Sequence, residues 1–262
     1  MIGAIIGDIA GSRFEFNRTN SIDFELFTPQ CDFTDDTICT VAIADAIMNR
    51  NNDFRGALLY WCNRYAHPMG GYGGKFLEWL SNPVPYNSMG NGSAMRVSPV
   101  AWLFDNSDDI KKYAEEQSAV SHDHPEGIRG AQCVATAIDL ARHDILHSWS
   151  QSQIASFSMK LFEYSVPVCI ESYRNKFFET MPETIPVVFW AFARSHSYES
   201  AIRNAIAIGG DADTLGAITG SIAEAYWGVP RKLYNAAMDY LPDDMKTIVE
   251  QFYSHYHGKI IR

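Results

Sequence analysis

The hydrophobic period is what most restricts the fold of this chain. Segments 37–49, 127–142, 150–164, 199–208 and 215–227 are alanine-rich, with apolar residues three and four apart. That spacing lines one face of an α-helix. No segment alternates convincingly with period two. The best strand candidate, 186–193, reads equally as a buried helix opened by Pro186. The chain has 262 residues, 47% of them hydrophobic, so it can bury one large core and lies near the size at which single cores stop growing. The expectation is therefore an all-α, single compact domain over 1–262, built from roughly ten or more helices.

Charge removes several function classes. Asp plus Glu number 31 against 21 Lys plus Arg, a net charge of −10. Non-specific binding of nucleic acid or anionic membranes needs a basic footprint, so neither partner is expected. A phosphate-bearing small molecule stays compatible, provided that cations or backbone N–H groups supply local positive potential. No apolar run approaches the ~20 residues of a membrane helix. The start, M-I-G-A-I-I-G-D-I-A-G, has no basic n-region and its apolar run ends at Asp8, so it reads as a poor signal peptide. The expected location is the cytoplasm, and the expected state is a monomer.

Cys31, Cys39, Cys62, Cys133 and Cys169 are odd in number, contain no C-x-x-C pair, and have no His at ligand spacing. Neither a disulfide frame nor a zinc site is indicated. They are expected to be buried spectator thiols, with a single catalytic cysteine as the alternative.

Gly3, Gly7 and Gly11 recur every fourth residue, as do Gly216, Gly220 and Glu224. Small residues on one helix face imply close helix packing. Segments 68–74 (P-M-G-G-Y-G-G) and 83–92 (P-V-P-Y-N-S-M-G-N-G) read as loops.

Each glycine run abuts an acidic motif. Thr34-Asp35-Asp36-Thr37 directly precedes an apolar helix, where Thr34 or Asp35 could serve as an N-cap and acids would complement the helix dipole. Gly209-Gly210-Asp211-Ala212-Asp213-Thr214 precedes another helix, which should end near Trp227-Gly228 with Pro230 beyond. A cap needs one acceptor, so a second acid plus a threonine is surplus. Two such helix starts suggest that they meet. Their carboxylates and hydroxyls would make an all-oxygen site suited to Mg²⁺ or Mn²⁺, and two divalent ions would balance four carboxylates. An EF-hand is excluded, because the chain has no D-x-[DN]-x-[DN]-G loop.

Three further pieces stand out. Helix 1 should fray at Gly11-Ser12, which leaves Glu15 on the following loop, by itself a solvated surface acid. Asn91-Gly92-Ser93-Ala94-Met95-Arg96 is a glycine turn entering a helix, a cradle for a diphosphate. His122 and His124 precede a helix, where capping or hydrogen bonding is the expected role and metal ligation the alternative.

Together these motifs resemble the ADP-ribosylglycohydrolases of the dinitrogenase reductase-activating type. The matching pieces are Gly7-Asp8, Gly11 and Glu15, then Thr34 to Thr37, Gly90 to Arg96, His122 to Pro125 and Gly209 to Thr214, spanning nearly the whole chain. The resemblance implies an all-α fold with a binuclear metal cleft holding two Mg²⁺ (or Mn²⁺) ions. Thr34, Asp35, Asp36, Asp211, Asp213 and Thr214 would be the ligands. It implies catalysis by Glu15; the sequence itself does not say which acid protonates the leaving group, and Asp36 is the next candidate after Glu15. Binding of the distal ribose and diphosphate would fall to Asn91, Gly92, Ser93 and Met95, with His122 near the adenosine half. The loop 70–74 would flank the cleft. The implied activity is hydrolysis of the glycosidic bond between ADP-ribose and an acceptor, with arginine-linked mono-ADP-ribose on protein as the default. Serine-linked ADP-ribose, O-acetyl-ADP-ribose, a non-catalytic ADP-ribose binder and a metal-dependent phosphoesterase are the alternatives.

Overall fold

Every residue of the first helix, Ile2–Ser12, is buried. A helix with no wet face has to be surrounded by others. The structure is a computed structural model that describes residues 1–143, 148–165 and 169–255. In chain order its helices are α1 (Ile2–Ser12), α2 (Asp35–Asn49), α3 (Phe54–Arg64), α4 (Gly74–Ser81), α5 (Gly92–Met95), α6 (Ser98–Leu103), α7 (Ser107–Ala119), α8 (Pro125–His143), α9 (Gln151–Leu161), α10 (Met181–Ala193), α11 (Tyr198–Ile206), α12 (Ala212–Trp227), α13 (Arg231–Met238) and α14 (Asp243–His255). Among the described residues there is no strand, and Gly90 and Thr180 form an isolated bridge. The fold is all-α, as the periodicity requires.

α12 is α1's principal partner and is itself buried along nearly all its length. The two backbones touch. A Cβ on Gly7 would stand 2.0 Å from the Gly216 carbonyl oxygen, one on Gly216 2.5 Å from that of Gly7, and one on Gly11 2.4 Å from that of Ala212. The four-residue glycine spacing is therefore tight helix packing. α2 lies on α1 and on α3, while α8 and α11 cover α12. The core is continuous from α1 through α2, α8, α10 and α12.

Two expectations are corrected. Segment 186–193 is helical, but Pro186 does not open the helix. α10 starts at Met181 with Pro182 in its first turn, and Pro186 lies inside it. Burial of Ile185, Val187, Val188, Phe189 and Phe192 outweighs the backbone bond that Pro186 cannot make. Cys31, Cys39, Cys62 and Cys133 are buried, but Cys169 is exposed, on irregular chain before a short 3₁₀ turn (Ile170–Ser172).

The α1–α12 contact reverses an ordinary substitution. Alanine usually gains up to ~1 kcal/mol over glycine inside a helix. Gly7→Ala should instead destabilise by more than ~3 kcal/mol, because its Cβ meets rigid backbone. Thermal unfolding reads the change, and a midpoint within ~2 °C of wild type would show that the helices separate freely.

Candidate active site

The α1–α12 contact runs out at Gly11 against Ala212, so Asp8 and the turn after α1 lie beside the N-terminus of α12. Asp8 is fully buried. It accepts hydrogen bonds from the Thr34 backbone N–H at 3.0 Å, Thr34 Oγ1 at 2.7 Å, the Thr37 N–H at 3.1 Å and Thr37 Oγ1 at 2.5 Å. A carboxylate on one helix thus holds the first turn of another. Thr34 is the N-cap of α2, its hydroxyl accepting from the Asp36 N–H at 3.3 Å. The cap is filled by Thr34, and this leaves the Asp36 carboxylate free to face inward.

In the second motif, Gly209 and Gly210 have φ of +77° and +96°, and a Cβ on Gly210 would stand 2.1 Å from the Lys176 carbonyl oxygen. Only glycine makes this bend without strain. Asp211 occupies the N-cap position of α12, yet its side chain makes no capping bond. It accepts instead from Asn91 Nδ2 at 2.7 Å. Capping therefore does not account for Asp211.

The two motifs meet. Thr214 Oγ1 donates to Asp36 Oδ2 at 3.1 Å. Oxygens of Asp8, Asp36 and Asp213 lie within 4.8 Å of one another, as do those of Glu15, Asp211 and Asp213. Asp35 is half-buried and lines the same cleft, but belongs to neither group. Glu15 is no solvated surface acid. It is half-buried, with Oε2 2.6 Å from where a Cβ on Gly70 would stand, so the glycine-rich 70–74 loop packs against it. Asp36 Oδ1, Asp213 Oδ1 and Glu15 Oε2 are all buried without a hydrogen-bond partner.

Burial is the largest cause that raises every one of these carboxyl groups. It pushes Asp8 up to about 6, against the opposing hydrogen bonds from Thr37 and Thr34. Asp211 rises to about 6, against the bond from Asn91. Glu15 rises to about 7 through burial and then the charges of Asp211 and Asp8. Asp36 and Asp213 are held well above the usual range by burial and by neighbouring acids, and so is Asp35, where Cys39 adds to the effect. An oxygen-only set of crowded acids with orphaned buried oxygens fits hard divalent cations of the Mg²⁺ or Mn²⁺ kind.

The acids floor one part of a cleft of about 800 Å³, a size suited to a nucleotide-scale ligand. Asn91, Gly92, Met95 and His122 line it, and so do Glu15, Asp35, Asp36, Asp211, Asp213 and Thr214. Thr34 is buried behind them. Ser93 is not brought to the cleft, because its hydroxyl donates inward to the Gly127 carbonyl oxygen at 2.8 Å. The Asn91 amide is engaged with Asp211 and, at 3.3 Å, with Thr184. Nδ1 of His124 accepts from the Glu126 N–H at 3.0 Å, the expected capping role. Sequence reasoning missed Glu179 and the stacked Phe16–Phe177 pair, with ring centroids 6.1 Å apart, at the same cleft. Neither carries a motif. Asp8 carries no assigned role in the motif that contains it, although an acid inside a glycine-spaced apolar helix is a signal that it holds something.

Comparison with known proteins agrees with this geometry. A family model described as ADP-ribosylglycohydrolase matches residues 1–260. The ADP-ribosylhydrolase ARH3 of Danio rerio is 23% identical, over 87% of this chain and 82% of its own length. The ADP-ribosylarginine hydrolase Tri1 of Pseudomonas putida is 24% identical, over 87% of this chain and 70% of its own. A solved ADP-ribosylglycohydrolase-related protein complex shares the fold, with a TM-score of 0.68 at 22% identity, covering 97% of this chain and 95% of that one.

The raised pKa values fix a pH dependence. A carboxyl whose folded pKa exceeds its unfolded value binds protons better when folded, so its contribution is present at low pH and lost as pH rises through the folded pKa. For Asp8 and Asp211, at about 6, and Glu15, at about 7, the loss spans roughly pH 4 to 7. Protein stripped by EDTA should therefore melt at a higher temperature at pH 5 than at pH 7.5. Saturating Mg²⁺ should restore roughly 5–10 °C at pH 7.5 and less at pH 5. A melting curve indifferent to EDTA and Mg²⁺ at pH 7.5 would remove the metal site.

Proposed function

The chain belongs to the ADP-ribosylglycohydrolase family, a family of hydrolases acting on ADP-ribose linkages, and from that premise we propose a divalent-metal-dependent enzyme that releases ADP-ribose from arginine side chains. The observation that carries the reading is the junction of the two acidic helix starts, where Thr214 reaches Asp36 and buried carboxylate oxygens are left without partners. Asp36, Asp211, Asp213 and Thr214 would hold two Mg²⁺ or Mn²⁺ ions, with Asp35 and Thr34 alongside. Bound there, the ions would orient ribose hydroxyls and lower the pKa of a water.

The remaining chemistry belongs to the chain's own groups. Hydrolysis at ribose C1″ passes through an oxocarbenium-like transition state, so a nearby carboxylate stabilises it. The leaving guanidine needs a proton, and the water that replaces it must lose one. Glu15, pushed up to about 7, can exchange a proton near neutral pH from its place at the cleft. Asp8 and Asn91 act through others: Asp8 fixes the turn that carries Asp36, and Asn91 fixes Asp211. Support for an arginine acceptor comes from the arginine hydrolase among the relatives, and from Glu15 and Glu179, which both line the cleft near one another and suit a cationic leaving group.

The test is release of free ADP-ribose from ADP-ribosyl-arginine in Mg²⁺. Arginine-linked substrate should turn over faster than serine-linked or O-acetyl-ADP-ribose, whereas AMP or phosphate as product would make the protein a phosphoesterase. Glu15→Gln should cut turnover roughly 10²–10⁴-fold while ADP-ribose still binds. Asp213→Asn should abolish turnover in a folded protein. If Asp213→Asn kept full activity, that residue would return to a purely structural role.

A further inference from the structure

Arg96 is a buried cation that the proposed chemistry leaves unused. Its side chain is 0% exposed. Nε donates to Gln117 Oε1, and Nη2 donates to the Gln117 carbonyl oxygen and to Ser121 Oγ, each at 2.9 Å. All three acceptors are neutral. The Cys39 thiol also bonds to it, the Cys62 thiol and the Tyr86 phenol are near, the Phe76 ring centre lies 6.0 Å from the guanidinium carbon, and no carboxylate pairs with it among the described residues. A buried charge without a counter-ion is costly, which makes this arrangement informative.

Ser121 passes the arrangement on. Its Oγ lies 2.9 Å from Arg96 Nη2 and 2.8 Å from His122 Nδ1. Guanidinium can only donate, so Ser121 accepts from it. The hydroxyl has one proton to give, and His122 Nδ1 is the acceptor that the hydrogen bonds of the described residues offer it. Burial, with Arg96 close by, drives the His122 pKa well below the usual range, so the ring is neutral. A neutral ring that accepts at Nδ1 carries its proton on Nε2. Nε2 lies 3.0 Å from where a Cβ on Gly92 would stand and 3.4 Å from one on Gly90, and all of these residues line the cleft.

We propose that Arg96 and Ser121 are positioning residues that lock His122 as an Nε2–H donor to an anionic phosphoryl oxygen, in this cleft the diphosphate of ADP-ribose. The ligand named rests on the function proposed above. The charge layout favours an anion here over a hydroxyl. The guanidinium, with no carboxylate paired to it among the described residues, puts positive potential behind Ser121 and His122. A fixed donor backed by that charge suits an oxygen that can only accept.

Long-range ¹H–¹⁵N spectra of histidine-labelled protein, with ADP-ribose and adenosine titrations of the folded variants, test the relay. Wild-type His122, assigned by loss of its signals in His122→Gln, should be protonated on Nε2. Ser121→Ala should weaken ADP-ribose roughly 10- to 100-fold and change adenosine by less than about threefold. His122→Gln, which can donate from near the same place, should keep most of the ADP-ribose affinity, and His122→Leu should lose it. A proton on Nδ1 in the wild type overturns the relay, as does an equal loss for adenosine and ADP-ribose in Ser121→Ala. Equal affinities in the Gln and Leu variants overturn it too. Wild type that fails to bind ADP-ribose contradicts the proposed function instead, and the tautomer then decides the relay alone.

Discussion

Backbone contact between α1 and α12 is the constraint on which the rest of the molecule depends. Three glycines on α1 and two on α12 remove the side chains that normally keep helices 8–10 Å apart. Asp8, in the middle of α1, holds the first turn of α2, which packs directly on α1. The close-packed helices also bring the D-x-D-T turn of α12 against the D-D-T turn of α2, joined by the Thr214–Asp36 hydrogen bond. Widening that interface by one methyl group would separate two motifs that have no other direct reason to meet.

The arrangement concentrates charge where a protein normally avoids it. Asp8, Asp36, Asp211 and Asp213 are buried around one point, and their pKa values rise accordingly. Hydrogen bonds from Thr34 and Thr37 to Asp8, and from Asn91 to Asp211, offset part of the cost. They leave Asp36 Oδ1 and Asp213 Oδ1 with nothing. Polar atoms left unpaired in a core are destabilising unless something binds them, and this is the ground for the proposed pair of divalent ions. At another part of the cleft the sign reverses, with a guanidinium buried among neutral groups. A ligand carrying hydroxyls at one end and a diphosphate further along would meet complementary charge at both.

Much of this was legible in the residues. Each of the five alanine-rich periodic segments carries a helix, although α9 stops at Leu161 and α11 at Ile206, short of their segments' ends, and Asp36 and Asp213 of the two helix starts come together. The structure shows why the surplus mattered: Thr34 does the capping at α2, and Asp211 sits at a cap position without capping. Other features were invisible for physical reasons. Pro186 reads as a helix start because local rules cannot weigh the burial that carries α10 through it. Ser93 shares a motif with Asn91, but the direction of its hydroxyl, toward Gly127, depends on α8. Glu15 looks solvated because nothing local shows that the distant Gly70 loop closes on it. Arg96 reads as one more basic residue in a motif until its burial, with no carboxylate paired to it among the described residues, sets it apart.

The central claim, that two helix starts are brought together to hold a pair of divalent ions, is tested most directly by counting bound metal. Equilibrium dialysis of metal-free protein against Mn²⁺, read by electron paramagnetic resonance, should give two ions per chain with a spin-coupled signal. Replacing Asp36 and Asp213 together by Asn should reduce the count to one or none while the helical circular dichroism stays intact. Wild type that binds no Mn²⁺, or a double variant that binds as many ions as wild type, would contradict the account.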